Sequence, residues 1–205
     1  LSGYTATGSI AGSILQLVNI GIGLVVYYPF VRLYEKKRMI DFHKNYADLL
    51  DLWQRSSENG EFLSLLDRGD QIGSVAKMLA TDLQYAIQNR ELFMCYQMQF
   101  NVKNYCVGAE SLLRWRHDLA GFIPPPLIIA LAKEAGLQLE LEKLVLQMVC
   151  QDLHKINDGR KEQFVVSVNV TTDFLIDPCF EKELAQAVNQ NKVLPQVLWI
   201  EITEQ

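Results

Sequence analysis

The chain has 205 residues, of which 49% are apolar and 21% are charged, and its net charge at pH 7 is −5. This length and apolar content suit one domain, or one small domain with an anchor, and they exclude wholesale disorder. The negative net charge excludes the basic footprint of a protein that binds long nucleic acids, but it is compatible with a small phosphorylated ligand bridged by a metal.

The cysteines and histidines are scattered along the sequence, and none are spaced as a metal knuckle. They are Cys95, Cys106, Cys150 and Cys179, and His43, His117 and His154. Three of the cysteines fall in segments that are predicted to be strand or helix interior. This favours buried, reduced thiols in a cytoplasmic domain over disulfides.

The first predicted element is an apolar helix over residues 10–31, a segment without a charged side chain. A helix of this length spans about 33 Å, which matches the hydrocarbon core of a bilayer. Tyr27 and Tyr28 lie near its end, where aromatic side chains favour the headgroup level. The basic residues Arg32, Lys36, Lys37 and Arg38 follow at once. The pattern predicts a span of the inner (plasma) membrane with the following chain in the cytoplasm; the alternative is a buried helix of a soluble protein.

The same segment carries a second pattern of small, apolar and aromatic residues. They are Gly12, Leu15-Gln16-Leu17-Val18-Asn19, Gly23 and Tyr27-Tyr28-Pro29-Phe30. On these residues, the segment 1–38 resembles the last membrane helix and cytoplasmic exit of enzyme IIC sugar permeases of the phosphotransferase system, lactose/cellobiose type. The permeases' sugar-binding and phosphorylation machinery is not in this match. A permease role would therefore need further membrane helices upstream of Leu1.

Two amphipathic helices are predicted next. The first runs from Arg32 to Ser57 and ends in the polar stretch 56–60, and the second follows the turn Arg68-Gly69-Asp70. Apolar residues of the second helix share one face: Ile72, Val75, Leu79, Leu83 and Ile87. We assign residues 1–38 to the membrane helix with its basic exit and residues 39–82 to a helical linker.

From Leu92 onward, segments with strand periodicity alternate with segments of helix periodicity. Strands are predicted at Phe93–Phe100, Tyr105–Trp115, Phe164–Val170 and Val197–Thr203, with a hairpin turn at 101–104 between the first two. Helices are predicted at Pro126–Gln138, Leu141–Asn157 and Pro178–Gln190. The alternation predicts an α/β fold with a parallel sheet or a barrel.

Polar side chains occupy three of these strands. Glu110 and Arg114 share one face of the second strand, Asn169 closes the third strand, and Glu201 lies in the fourth. The carboxyl ends of barrel strands converge on the active site, and oxygen ligands from three strands suit a hard divalent cation such as Mg²⁺. The alternatives are an ion pair between Glu110 and Arg114 and a purely structural role for Asn169.

Several spaced motifs in this part of the chain occur in a recognisable order. They are Tyr96-Gln97, Glu110-Ser111-Leu112-Leu113-Arg114-Trp115-Arg116-His117, Ile123 with Pro125, Ala132, Glu134, Gly136-Leu137, Ser167-Val168-Asn169 and Glu201-Ile202-Thr203-Glu204. On these motifs, residues 83–205 resemble the first half of an EAL domain, the cyclic di-GMP phosphodiesterase family. The resemblance implies a partial TIM-type (β/α) barrel. It also implies metal-dependent hydrolysis of one phosphodiester bond of cyclic di-GMP, which gives linear pGpG.

The resemblance also implies roles for individual residues. The implied ligands of Mg²⁺ or Mn²⁺ are Glu110, Asn169 and Glu201. The implied substrate contacts are Gln97, Leu112 and Arg114. Glu204 matches a glutamate of the family that stabilises a catalytic loop. Glu110 and Glu204 are thus the implied catalytic residues. The sequence departs from the family pattern at Ser111, where alanine is usual, at Met98, where proline is preferred, and at Lys133, where an acidic residue is frequent.

The family's paired aspartates, its essential lysine and its last metal-binding glutamate would lie beyond Gln205. We therefore expect these 205 residues alone not to form a competent phosphodiesterase. Three hypotheses follow: part of a membrane-tethered cyclic di-GMP phosphodiesterase, a non-catalytic EAL remnant that binds a nucleotide or a protein, and part of a sugar permease. The resemblance adds a homodimer to the expected partners, because the family often dimerises.

Overall fold

The computed structural model of the chain describes residues 4–59 and 64–203, and it describes side chains in the ranges 28–59 and 64–202. The chain divides into two compact units, Leu1–Ala47 and Asp48–Gln205. A single helix, α1 (Tyr4–Asn59), joins the predicted apolar helix to the first predicted linker helix and includes Pro29. Its end at Asn59 agrees with the stop that the polar stretch 56–60 predicts.

The predicted membrane span at residues 10–31 falls within α1, but the side chains of residues 1–27 lie outside the described part of the chain. In the residues that the structure does describe, no helix combines the length and the apolar character needed to cross a bilayer. The membrane span and the permease resemblance, which depend on the same residues, stay predictions.

A five-stranded sheet forms the centre of the second unit. Its strands are β1 (Phe93–Phe100), β2 (Cys106–His117), β3 (Gly121–Ile123), β4 (Val165–Thr171) and β5 (Leu198–Thr203). The order is β1-β2-β4-β5, with β3 paired to β2. Strands β1 and β3 run antiparallel to β2, whereas β2, β4 and β5 are parallel to one another. All four predicted strands are present; β3 was not predicted, because three residues are too few to show a period.

Five further α-helices and a 3-10 turn complete this unit. They are α2 (Gln71–Asn89), α3 (Pro125–Glu134), α4 (Gln138–Asn157), α5 (Thr172–Leu175), α6 (Phe180–Gln190) and the 3-10 turn Pro195–Val197. The predicted end of α3 at Gln138 was wrong. Gly136 has a φ of 70°, which turns the chain after Glu134, so that Gln138 begins α4 instead.

One face of the sheet is buried against α4 and α6. Val166, Val168 and Val170 of β4 pack there. The helix side chains of this core include Leu146, Val149, Cys150 and Leu153 from α4 and Phe180 and Ala187 from α6. Because neighbouring strand residues point to opposite sides, the polar residues between these valines face away from the helices.

All four cysteines are free, and Cys95 and Cys179 are partly buried. Cys150 is buried in the core, and burial raises the pKa of its thiol to about 11. Cys106 is exposed, contrary to the expectation of burial, because it opens β2 directly after the hairpin turn.

Strands β2 and β4 approach each other closely at Gly108. A Cβ atom at this position would lie 2.8 Å from the carbonyl oxygen of Val165, a distance that side-chain carbons do not tolerate. Glycine is therefore required where the two parallel strands begin to pair, since any other residue would push them apart.

The connecting turn before α2 is held to the domain by one carboxylate, which we call the Glu134 latch. The backbone N–H of Leu65 donates to Glu134 Oε1 at 3.0 Å and Oε2 at 2.8 Å, and the N–H of Leu66 donates to Oε2 at 2.9 Å. The Ser64 hydroxyl lies 3.2 Å from the same Oε2. Glu134 is the last residue of α3, so the latch joins the turn to the end of that helix.

Replacing Glu134 with alanine should lower the free energy of unfolding by about 2 kcal/mol, because it leaves two backbone N–H groups without an acceptor. Urea unfolding followed by tryptophan fluorescence measures this loss. Ser64→Ala is the matched control, and it should lower the free energy of unfolding by less than about 1 kcal/mol. Equal losses in the two variants would show that the carboxylate does not hold the turn.

Candidate active site

The strand register places most of the predicted site residues on one face of the sheet. Gln97 lies opposite Glu110 across the β1–β2 pair, and Asn169 lies opposite Glu201 across the β4–β5 pair. Leu112 and Arg114 follow Glu110 at two-residue spacing along β2. Because cross-strand partners share a face and strand residues alternate, all of these residues belong to the face that points away from the helices.

Glu110 and Asn169 are in direct contact. The side-chain amide Nδ2 of Asn169 donates to Glu110 Oε1 at 2.7 Å, and both side chains are partly buried. The contact joins Glu110, which lies inside the paired segment of β2 and β4, to Asn169, the first residue of β4 beyond the last pair of Ser111 and Val168. The structure therefore brings two of the three predicted metal ligands together and places the third, Glu201, beside Asn169 on the next strand.

These three residues fit a hard divalent cation by donor type. Glu110 and Glu201 offer carboxylate oxygens and Asn169 an amide oxygen, the ligand atoms that Mg²⁺ and Mn²⁺ prefer. Among the described residues, no group of three or more His, Cys, Asp and Glu side chains could hold a metal ion. A cation at this site would consequently depend on the amide oxygen of Asn169 as its third protein ligand.

Arg114 is partly buried, and its Nη1 donates to the backbone carbonyl oxygen of Leu113 at 2.8 Å. Glu110 instead accepts from Asn169, so the alternative of an ion pair between Glu110 and Arg114 is not what the structure shows. The other N–H groups of the guanidinium are a donor set that suits a phosphate.

The remaining predicted residues differ in their exposure, and one of them lies outside the described part of the chain. Gln97 is exposed on β1, and Leu112 is partly buried on β2. Glu204 lies outside the described residues, so its role stays a prediction. The roles of the other residues are likewise predictions, although their positions on one sheet face are observed.

A cavity of about 190 Å³ lies beside these residues, between α3, α4 and the ends of β2 and β4. Leu112 and Asn169 line it, so it adjoins the candidate site. Most of its wall is apolar and includes Met94, Ile129, Leu141, Val145 and Val168.

Sequence reasoning missed one carboxylate in this cavity wall, that of Glu142. Its Oε1 accepts from the Thr171 hydroxyl at 2.6 Å and from Gln138 Nε2 at 3.1 Å. Its Oε2 is buried and has no hydrogen-bond partner among the described residues. Such an oxygen is costly in a folded protein unless a bound water molecule or a ligand supplies the donor. In the sequence, Glu142 looks like one polar position of an amphipathic helix, which gives no signal of this role.

The chain can now be compared with known proteins. The family model of the EAL domain matches residues 80–205, more than half of the chain. The chain belongs to the EAL domain family. This confirms the predicted family, and the α/β architecture agrees with part of such a domain.

Curated relatives extend the comparison. The cyclic di-GMP phosphodiesterase PA2567 of Pseudomonas aeruginosa is 31% identical over 137 residues, which are 66% of this chain and 23% of that protein. The bifunctional diguanylate cyclase/cyclic di-GMP phosphodiesterase MucR of the same species is 28% identical over 127 residues, 62% of this chain and 18% of that protein. An uncharacterised protein of Mycobacterium tuberculosis is 30% identical over 128 residues, which are 42% of its length. The chain thus spans less than half the length of these relatives.

Solved structures agree with this assignment. The MucR phosphodiesterase in complex with c-di-GMP matches with a TM-score of 0.59 and 28% identity, over 62% of this chain and 52% of that chain. The Xanthomonas citri FimX EAL domain in complex with c-di-GMP matches with a TM-score of 0.56 over 63% of this chain and 50% of that chain; at 17% identity, it supports the fold alone.

Within this EAL domain, Glu142→Gln should leave the free energy of unfolding unchanged or raise it by up to about 1 kcal/mol. The amide keeps an oxygen for Thr171, while the buried oxygen without a partner becomes an amide nitrogen. Urea unfolding tests this. A loss of more than about 1 kcal/mol would mean that both carboxylate oxygens stabilise the fold and would remove the reason to regard Glu142 as a ligand group.

Proposed function

We propose that the chain carries the first part of a cyclic di-GMP phosphodiesterase domain, which hydrolyses cyclic di-GMP to linear pGpG. The observation that carries the proposal is the 2.7 Å contact between Asn169 and Glu110, with Glu201 in register with Asn169 on the next strand of an EAL domain. The relatives PA2567, a cyclic di-GMP phosphodiesterase, and MucR, a bifunctional diguanylate cyclase/cyclic di-GMP phosphodiesterase, support the same substrate.

In this proposal, Glu110, Asn169 and Glu201 would hold Mg²⁺ or Mn²⁺. When bound, such a cation would supply Lewis-acid chemistry, activating a water molecule and offsetting charge on the phosphoryl oxygens. Arg114 binds a phosphate oxygen through the guanidinium N–H groups that its bond to Leu113 leaves available. Gln97 and Leu112 form the adjoining wall for the nucleotide.

Tethering to the inner membrane, with the domain in the cytoplasm, is part of the proposal. It is supported by the uncharged run 10–31 and the basic residues that follow it. A second candidate function is nucleotide binding without hydrolysis.

Two neighbouring substitutions, made in a longer protein that carries the rest of the EAL domain, test the metal assignment. Glu110→Ala should weaken Mn²⁺ binding by at least about ten-fold and abolish hydrolysis, because it removes a charged ligand. Ser111→Ala is the control: its hydroxyl donates to the carbonyl oxygen of Ser167 at 2.7 Å on the opposite face, so the rate should stay within a few-fold of wild type. Mn²⁺ binding is followed by electron paramagnetic resonance, and hydrolysis by chromatographic separation of cyclic di-GMP from pGpG.

Wild-type Mn²⁺ affinity in Glu110→Ala would refute the metal site. If Glu110→Ala loses Mn²⁺ binding as expected, but the wild-type protein with the complete domain does not hydrolyse cyclic di-GMP, the result would instead favour the second candidate function, a nucleotide-binding domain that does not cleave its ligand.

A further inference from the structure

A band of basic residues surrounds helix α1 directly after the predicted membrane span. We call it the basic collar, and it comprises Arg32, Lys36, Lys37 and Arg38. All four side chains are exposed, and none forms an ion pair among the residues whose side chains the structure describes. Glu35 is the one acidic residue of the segment 32–38, so four positive charges and one negative charge leave a net charge of +3 there. The collar is thus a local excess of positive charge on a chain whose net charge is −5.

The collar covers all sides of the helix. Successive residues of an α-helix are rotated by about 100°, so the directions of Arg32, Lys37 and Arg38 differ from one another by about 100° to 140°. A helix that lies flat on a membrane carries its basic side chains on its polar face only. The distribution around α1 instead suits a helix that passes through a layer of negative charge.

The length of the collar and its exposed neighbours match the headgroup layer of a bilayer. From Arg32 to Arg38 the helix rises by about 9 Å, and the polar layer on each side of a bilayer is about 5 to 8 Å thick. Apolar and aromatic side chains at this level are 55% to 67% exposed: Tyr28, Phe30, Leu33 and Tyr34. The Cζ atom of Arg32 lies 5.2 Å from the centre of the Tyr28 ring. Aromatic rings favour the headgroup level, so the apolar and basic side chains of this segment suit the same environment.

We infer that the basic collar binds anionic phospholipids, so that the chain prefers negatively charged headgroups around α1. The inference rests on the membrane tether of the proposed function. Basic side chains beside a membrane are attracted to anionic headgroups, and the guanidinium groups of Arg32 and Arg38 can each donate two hydrogen bonds to one phosphate. Phosphatidylglycerol carries a net negative charge, whereas phosphatidylcholine carries none. The exposed apolar side chains favour a lipid, which supplies acyl chains, over a soluble anion, which does not.

The experiment measures binding of the full chain, in micelles of an uncharged detergent, to phosphatidylglycerol and to phosphatidylcholine by isothermal titration calorimetry. Wild type should bind phosphatidylglycerol at least about five-fold more tightly in about 50 mM KCl. This ratio should fall toward one in about 500 mM KCl, because salt screens the attraction.

Two variants with equal net charge separate the collar from the charge of the whole chain. Replacement of all four collar residues with glutamine should bring the ratio of the two affinities close to one. The matched control replaces four exposed lysines of the second unit with glutamine and should keep the wild-type ratio: Lys103, Lys161, Lys182 and Lys192.

Single substitutions test whether the lipids surround the helix. Arg32→Gln, Lys37→Gln and Arg38→Gln should lower the ratio by similar factors, since these residues lie on different sides of α1. A loss confined to one of the three would show that a single face contacts lipid and would contradict the collar.

Equal affinity of wild type for the two lipids, or an unchanged ratio in the variant with four glutamines, would overturn the inference. Displacement of phosphatidylglycerol by glycerol 3-phosphate would also overturn it, because the collar would then take a soluble anion. Extraction of the chain from membranes with alkaline carbonate tests the tether separately. Release of the chain together with the expected ratios would refute the membrane span alone, since the ratios report on headgroup binding.

Discussion

The short parallel pairing of β2 with β4 is the constraint on which the candidate site depends. It covers Gly108–Ser111 and Val165–Val168, and it is close enough at its start to require a glycine. Glu110 lies inside this pairing, and Asn169 is the first residue of β4 beyond its last pair, so the bond between Asn169 and Glu110 joins the two strands where the pairing ends. The cavity between the strands and helices α3 and α4 lies beside this bond and is lined by Asn169. The pairing thus sets the positions of the residues at the candidate site.

Much of this arrangement follows from local patterns in the sequence. The two-residue alternation of apolar and polar residues predicted the strands. It also predicted that Glu110, Leu112 and Arg114 share one face of β2, and the register of the strands agrees. Polar residues on apolar strands marked Asn169 and Glu201, because a buried strand has little reason to carry them unless they have partners. Such patterns reveal the residues whose position can be predicted from the sequence of their own strand.

Other features depend on contacts that are distant along the chain. Glu142 gains its importance from Thr171, which lies 29 residues away, and from a cavity that forms only when α4 packs beside β4. The early end of α3 depends on the positive φ of Gly136, which helical periodicity does not reveal. Pairwise geometry of this kind is set by tertiary packing, so it could not be predicted from the period of apolar residues.

The Glu134 latch acts chiefly on main chain, since its three shortest hydrogen bonds, of 2.8 to 3.0 Å, are to the backbone N–H groups of Leu65 and Leu66, and the Ser64 hydroxyl lies 3.2 Å away. A backbone donor is present whichever residue stands at position 66, so a substitution there leaves the acceptor of the latch satisfied. Position 65 is different, because the side chain of Leu65 is fully buried and a smaller residue would leave a cavity. The segment before α2 is thus fixed to the domain in two ways, by main-chain hydrogen bonds that tolerate sequence change and by one buried leucine that does not.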